Sequence, residues 1–216
     1  MNQMSAVVIA GEPSERSDGV DQETAMISAL GQPLIDYVLD ALSDCWEISE
    51  VLVTVTGSTP LTEAHVRSRG YRSISTPGGG FEADLHYVMR LLSTPYVLAV
   101  AANLPLLRSK SIDEAIAAFY QSKKSAMLVG VPIDDVQEAI VGRNSVMDMD
   151  GVKAIPCGVW IMDRNLALSR LCCDEAHLVT DLEDFAVGVC TLGQLRMAEG
   201  FLKARGWKKR SPSDGS

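Results

Sequence analysis

Apolar and polar positions alternate along this chain in blocks that read as strands and helices in turn. Ala6–Ile9 is a short apolar run, rich in β-branched residues, that ends at Ala10-Gly11. A long polar stretch without apolar periodicity follows, and from Pro33 to Leu42 the residues Leu34, Ile35, Val38, Leu39 and Leu42 fall at helical spacing. Pro33 suits the first turn of that helix. Glu50–Val55 predicts a second strand with Thr56-Gly57-Ser58-Thr59-Pro60 as its exit loop, then a helix from Pro60 to Arg69 stopped by Gly70. Tyr71–Ser75 reads as a third strand, Phe81 to Leu92 as a helix, and Tyr96–Ala101 as a fully apolar, central strand. Ser109 to Lys124 is the next helix, with Ser111 as its expected cap, and Ala126–Val131 the next strand. Pro132 to Asp150 carries no period, Ile155–Ile161 reads as a strand, and Asn165 to Cys172 as a helix. Thr180–Thr191 is an acidic stretch leading into a closing strand, and Leu192 to Arg205 is the last helix. Strands and helices alternating at this spacing predict an α/β fold with a mostly parallel sheet and helices on both faces.

Composition narrows the class. A chain of 216 residues, 47% hydrophobic and 22% charged, has the makeup of one globular domain with a sizeable core. We expect that domain over residues 1–205 and a disordered basic and polar tail over 206–216. A formal net charge of -9 argues against nucleic acid as the main partner. No apolar run approaches a membrane span, and the amino terminus has no basic segment followed by an apolar core, so a cytoplasmic protein is expected. Cys45, Cys157, Cys172, Cys173 and Cys190 are odd in number and fit neither a disulfide framework nor a zinc spacing.

Two stretches carry candidate chemistry. The first strand feeds a glycine-bearing loop, where open α/β sheets place a ligand, and that loop holds Ser14 and Arg16, a hydroxyl and a fixed cation suited to phosphate. The same residues also suit an ordinary surface loop, because a short glycine match is weakly selective. In the second stretch, Gly78-Gly79-Gly80 precede a helix and leave backbone N–H groups to face an anion at its amino terminus. A simple flexible turn is the alternative.

The run Ala10-Gly11-Glu12-Pro13-Ser14-Glu15-Arg16-Ser17-Asp18 resembles the Ala-Gly-Gly-x-Ser-x-Arg-Met-Gly loop of small nucleotidyltransferases, and Gly31–Val38 resembles the helix start that follows it. Gly78, Gly80, Phe81, Asp84 and Leu85 match the Gly-x-Gly-(Tyr/Phe)-x-x-Asp-Leu segment of the archaeal GTP:adenosylcobinamide-phosphate guanylyltransferases. The resemblance implies a single Rossmann-like nucleotidyltransferase domain in cobalamin biosynthesis that transfers GMP from GTP to a corrinoid phosphate. It assigns nucleotide contacts to Ala10, Gly11, Glu12, Ser14, Arg16, Thr24, Gly78, Gly80, Phe81 and Asp84. The strand Ile155–Ile161 resembles an acceptor wall, which adds Pro156 and Gly158 and leaves Trp160 where the family has a small polar residue.

It gives Arg16 and Asn103 the catalytic positions and makes Asn103 the place of a magnesium-binding aspartate, within Asn103-Leu104-Pro105-Leu106-Leu107. Three departures stand out. Glu12 replaces the second glycine, Thr24-Ala25 replaces a Lys-Pro pair, and Asn103 replaces the aspartate, an amide being a weak ligand for a hard cation. Two polar groups of the family's closing strand are also lost at Gly188 and Cys190. Arg108, Lys110 or Lys153 as a replacement cation, and Asp181 or Asp184 as a replacement carboxylate, would restore an enzyme. Without such replacements the chain is a non-catalytic relative that binds a nucleotide or serves as a partner subunit. Expected partners are a nucleoside triphosphate and a corrinoid phosphate, without nucleic acid or membrane, and a homodimer is left open.

Overall fold

The computed structural model describes residues 4–11, 23–133, 146–169 and 174–207. Its centre is the strand β1 (Met4–Ile9), every residue of which is buried. Alternate side chains enter opposite layers: Met4, Ala6 and Val8 pack among residues of one apolar cluster, Val7 and Ile9 among those of another. That two-sided burial is why β1 reads as an unbroken apolar run.

After the 3-10 turn Thr24–Met26, a small antiparallel pair, β2 (Ser28–Ala29) and β3 (Gln32–Pro33), leads into α1 (Leu34–Ser43). Pro33 is the cap residue of α1 rather than a member of its first turn. Then come β4 (Ile48–Val55), α2 (Pro60–Ser68), β5 (Arg72–Ser75), α3 (Phe81–Met89), β6 (Tyr96–Ala101) and α4 (Ser109–Ser122). Gly70 takes φ +81° just after α2, a conformation that favours glycine. The carboxyl part holds β7 (Ala126–Pro132), β8 (Met147–Met149), β9 (Val152–Asp163), α5 (Arg164–Leu168), β10 (Glu175–Val179), α6 (Glu183–Ala186) and α7 (Leu192–Ala204).

The main sheet runs β10-β7-β9-β6-β1-β4-β5, with β8 paired to β9. Pairings between β1, β4, β5 and β6 are parallel, as is β7 with β10, whereas β9 is antiparallel to both β6 and β7. The sheet is therefore mostly parallel and covered on both faces. Residues of α1 and α4 join the cluster of Ala6 and Val8, and Leu85, Val88 and Met89 of α3 join that of Val7 and Ile9.

Several expectations are corrected. Residues 146–150 contribute β8 and a turn, while 134–145 lie outside the described residues. Gly188–Thr191 forms no strand: the acidic stretch makes the short α6, and Val187–Cys190 runs irregularly to the cap of α7. Ser111 does not cap α4, since it lies inside the first turn and donates to the Asp184 carboxylate. Gly206 and Trp207 do not belong to the tail: the Trp207 ring sits 5.1 Å from that of Tyr37, centroid to centroid. Cys172, Cys173 and residues 208–216 lie outside the described residues.

Candidate active site

The carboxyl ends of β1, β4, β5 and β6 share one edge of the sheet, and the loops leaving them bring together groups distant in sequence. Ala10 donates its N–H to Thr54 Oγ1 at 3.2 Å, and the Gly11 carbonyl accepts from Thr56 Oγ1 at 2.9 Å. Gly11 is tightly enclosed. A methyl group there would lie 2.7 Å from Thr56 Cγ2 and 3.4 Å from Asp84 Oδ2. Gly78, at φ +79°, approaches the same threonine, its methyl position being 3.3 Å from Thr56 Cγ2. Gly11 and Gly78, one from each glycine stretch singled out in the sequence, therefore both approach Thr56.

Asp84 organises the second stretch. Only 2% exposed, it accepts N–H bonds from Gly78 and Gly79 at 3.1 and 3.2 Å through Oδ1. Two amides expected to face an external anion are thus held by a carboxylate of the chain itself. Gly80 at φ +96° is the cap residue of α3, followed by Phe81. The amides of Gly80, Phe81 and Glu82, at the amino end of α3, donate to no described residue.

Asn103 lies two residues beyond β6. Its Nδ2 donates to the Val189 carbonyl at 3.2 Å and reaches Cys190 Sγ at 3.3 Å, and Val189 N–H donates back to the Asn103 carbonyl at 2.9 Å. The Asn103 position and the Gly188–Cys190 segment thus form one corner. Among the described residues no cluster of three His, Cys, Asp or Glu exists that could hold a metal. At this corner the carboxylate expected for magnesium is replaced by a neutral amide, a weaker ligand for a hard cation, and its nitrogen is turned to the Val189 carbonyl.

Pro156 and Gly158 lie in β9 where its register with β7 shifts, and Gly158 takes φ +81°. A methyl on Gly158 would be 2.8 Å from Ala101 Cβ, which sets this bulge against the end of β6. Trp160 does not face that edge. It pairs with Ala99 in mid-sheet and its Nε1 donates to Glu175 Oε2 at 3.0 Å. Cys157 retains some surface as a residue, but its sulfur is enclosed, and desolvation pushes the thiol up to about 12.

Thr24 is half-buried in its 3-10 turn, and Ala25 is in the core. Glu12, Ser14 and Arg16 lie outside the described residues. Of the expected replacement groups, Arg108 and Asp184 are committed to each other. Arg108 Nε donates to Asp184 Oδ2 at 2.8 Å, Asp184 is 1% exposed, and Arg205 Nη2 lies 2.7 Å from its other oxygen. The Asp184 hydrogen bond raises the Arg108 pKa further. Lys110, 81% exposed, is 3.8 Å from Glu114, and Lys153 pairs in register with Asp148 of β8. Arg108 and Lys110 line a different groove of about 470 Å³, between α1, the Pro105–Lys110 segment and Trp207, which contains neither Gly11, Gly78–Asp84 nor Asn103.

Sequence reading missed Thr56, Thr76 and Glu23. Thr56 lay in a stretch taken as an exit loop, and nothing local marks it as the contact of Gly11. Thr76 backs the same corner through its N–H to the Val55 carbonyl at 2.8 Å. Glu23 is 7% exposed, and its carboxylate accepts from the amides of Leu61 and Thr62.

Residues 6–148 match the family of MobA-like NTP transferase domains. Comparison with curated proteins returns no match. Among solved structures, CMP:2-keto-3-deoxy-manno-octonic acid synthetase complexed with CTP is similar at a TM-score of 0.71 and 13% identity, covering 94% of this chain and 99% of that one. The 4-diphosphocytidyl-2C-methyl-D-erythritol synthase of Anaerococcus prevotii is similar at 0.65 and 14% identity, over 93% and 96%. A hypothetical transferase of Thermus thermophilus is similar at 0.64 and 17% identity, over 89% and 99%. At such identities the likeness establishes the Rossmann-like nucleotidyltransferase fold. No helix among the described residues is long and apolar enough to cross a membrane.

Proposed function

The chain belongs to the family of MobA-like NTP transferase domains, and from that premise we propose that it is a guanylyltransferase acting on a corrinoid phosphate. An oxygen of the acceptor phosphate attacks the α-phosphorus of GTP, the bond from that phosphorus to the bridging oxygen breaks, and pyrophosphate leaves. The observation that carries this reading is the convergence of Gly11 and Gly78–Asp84 on Thr56 at the carboxyl edge of the sheet. Bare backbone on both sides of a cleft suits close approach by phosphate oxygens, and the amides at the start of α3 suit the charge that pyrophosphate gains as it leaves. Arg16 is assigned to the triphosphate and the Pro156–Gly158 bulge to the acceptor. Arg16→Ala should weaken nucleotide binding by about 1.5–3 kcal/mol, the worth of a charge-assisted hydrogen bond. Unchanged affinity in an otherwise binding-competent protein would remove Arg16 from the site.

The deciding experiment incubates the protein and magnesium with each nucleoside triphosphate, with and without cobinamide phosphate, and reads products by mass spectrometry. A guanylylated corrinoid with pyrophosphate supports the reading; transfer from another nucleotide replaces the base assignment. A second reading, nucleotide binding without catalysis, is favoured by the commitment of the Asn103 amide to the Val189 carbonyl and by the absence of a cation at Thr24. Calorimetry separates the two. Magnesium-dependent GTP binding accompanied by turnover supports the enzyme, and binding without turnover in every combination supports the second.

A further inference from the structure

Resemblance gives Asp84 to the nucleotide, but its carboxylate is turned to the protein. Oδ1 accepts from Gly78 N–H at 3.1 Å and from Gly79 N–H at 3.2 Å. Oδ2 lies toward Gly11, 3.4 Å from where a methyl on that glycine would sit. The Asp84 N–H donates to the Gly80 carbonyl at 3.0 Å. Side chain and backbone of one residue therefore close residues 78–80 onto α3. The side chain is buried and leaves almost no surface for a ligand to touch. Its charge is directed at two amides beside the amino end of α3, where a helix favours an anion.

These glycines need an outside hold. Three in succession have more conformational freedom to lose on ordering than any other triplet. Gly78 and Gly80 take φ +79° and +96°, a region that side-chain-bearing residues rarely enter. A methyl on Gly79 would lie 2.9 Å from Ala83 Cβ. No added Cβ can stiffen the segment from within. A ligand that had to order it would lose affinity to the entropy of doing so. Asp84 orders it beforehand, through hydrogen bonds to an ionised acceptor, which are about twice as strong as neutral ones. The segment so held sets Gly78 against Thr56 and directs the chain into Phe81 and Glu82, at the start of α3.

We propose that Asp84 is a positioning residue for nucleotide binding. Its carboxylate holds residues 78–80 in their ligand-ready course and does not itself touch the nucleotide. This rests on the nucleotide-binding reading above, and the wild-type arm of the test keeps the two apart.

Amide hydrogen exchange of the free protein and calorimetric titration with GTP and magnesium decide it. Without nucleotide, Asp84→Ala should speed exchange at Gly78 and Gly79 by about tenfold or more. Val88 and Met89, in the last turn of α3, should change by less than about twofold. GTP binding should weaken by about tenfold or more, because the ligand must now order the glycines. Asp84→Asn keeps an acceptor oxygen without the charge and should stay within about threefold of the wild type in both measurements. Asp84→Glu keeps the charge but carries it one methylene further in a closely packed place, and should bind as weakly as Asp84→Ala. If Asp84→Asn binds as weakly as Asp84→Ala while Asp84→Glu binds normally, the charge itself acts on the ligand or its metal, and the proposal is overturned. If exchange at Gly78 and Gly79 rises while affinity holds, Asp84 merely fastens a loop, which also overturns it. If the wild type binds neither GTP nor any other nucleoside triphosphate, the functional reading fails and the proposal falls with it, before any variant is measured. Should Asp84→Ala fail to fold, the Asn and Glu variants decide alone: binding kept by the first and lost by the second supports the proposal, and the reverse overturns it.

Discussion

An amide nitrogen and a carboxylate oxygen fill nearly the same volume, but only the nitrogen can donate to a carbonyl. Asn103 donates to the Val189 carbonyl, so Asn103→Asp would set oxygen against oxygen at 3.2 Å. We expect that change alone to lower stability by about 1 kcal/mol in a chemical denaturation curve without metal, the worth of a half-buried hydrogen bond. Added magnesium should recover part of the loss, because the ion can lie between the oxygens and the new carboxylate is a far better ligand. Gly11 gives a purely steric counterpart. Gly11→Ala drives a methyl into Thr56 and should weaken nucleotide binding at least about tenfold, while Gly57→Ala, with nothing within 4 Å of the new atom, should leave it unchanged in the same titration. The thiols predict a pH effect. Desolvation raises Cys45 and Cys157 to about 12, whereas in the unfolded chain they ionise in the ordinary thiol range. The unfolded state then binds fewer protons above about pH 9, so stability should fall as pH rises from there, by roughly 1 kcal/mol per pH unit and thiol. Urea denaturation at pH 8 and pH 10 checks it, and Cys45→Ala should flatten the slope.

At the scale of elements, legibility followed burial on two faces. β1 and β6 are apolar because helices cover both sides of them, and such runs need no partner to be recognised. β10 escaped notice because its five residues are all half-buried at the edge of the sheet and include Glu175 and His177, so no alternation marks it. The hairpin of β8 and β9 was hidden for a different reason. Its fit depends on Gly130, where a methyl would lie 2.4 Å from Met149 Sδ, a contact between strands far apart in the chain. In the candidate site, glycine stretches were visible as local patterns, but Thr56 and Glu23 act through partners roughly forty residues away, which no local pattern encodes. Asp184, a candidate replacement carboxylate by sequence, is instead buried in α6 between Arg108 and Arg205, joining α6 to the start of α4 and the end of α7. Asp184→Ala should cost about 1–3 kcal/mol in thermal or urea unfolding, since it removes the shared acceptor of Arg108, Arg205 and Ser111. A loss under about 1 kcal/mol would mean that the arginines re-solvate freely and that the network does not hold the carboxyl-terminal helix in place.

Across the whole molecule, a net charge of -9 acts on a triphosphate before any contact forms. The long-range field repels the ligand, while in the proposed reading Arg16 and the amides at the start of α3 attract it only within a few ångströms. These two ranges respond differently to salt. With a Debye length near 10 Å at about 0.1 M, added salt screens the distant carboxylates strongly and the short contacts much less. Association should therefore speed up as ionic strength rises from about 20 to about 200 mM, the reverse of electrostatically steered binding. Dissociation should also quicken, but more modestly, because contacts at short range are screened less than distant charges. Stopped-flow mixing with a fluorescent GTP analogue measures both rates directly. Arg16→Ala should raise the dissociation rate and leave the salt slope of association nearly unchanged, since a single cation at the cleft contributes little to the distant field. If association instead slows with salt, a positive surface local to the cleft outweighs the total charge, and the cation missing at Thr24 has been replaced by groups outside the described residues.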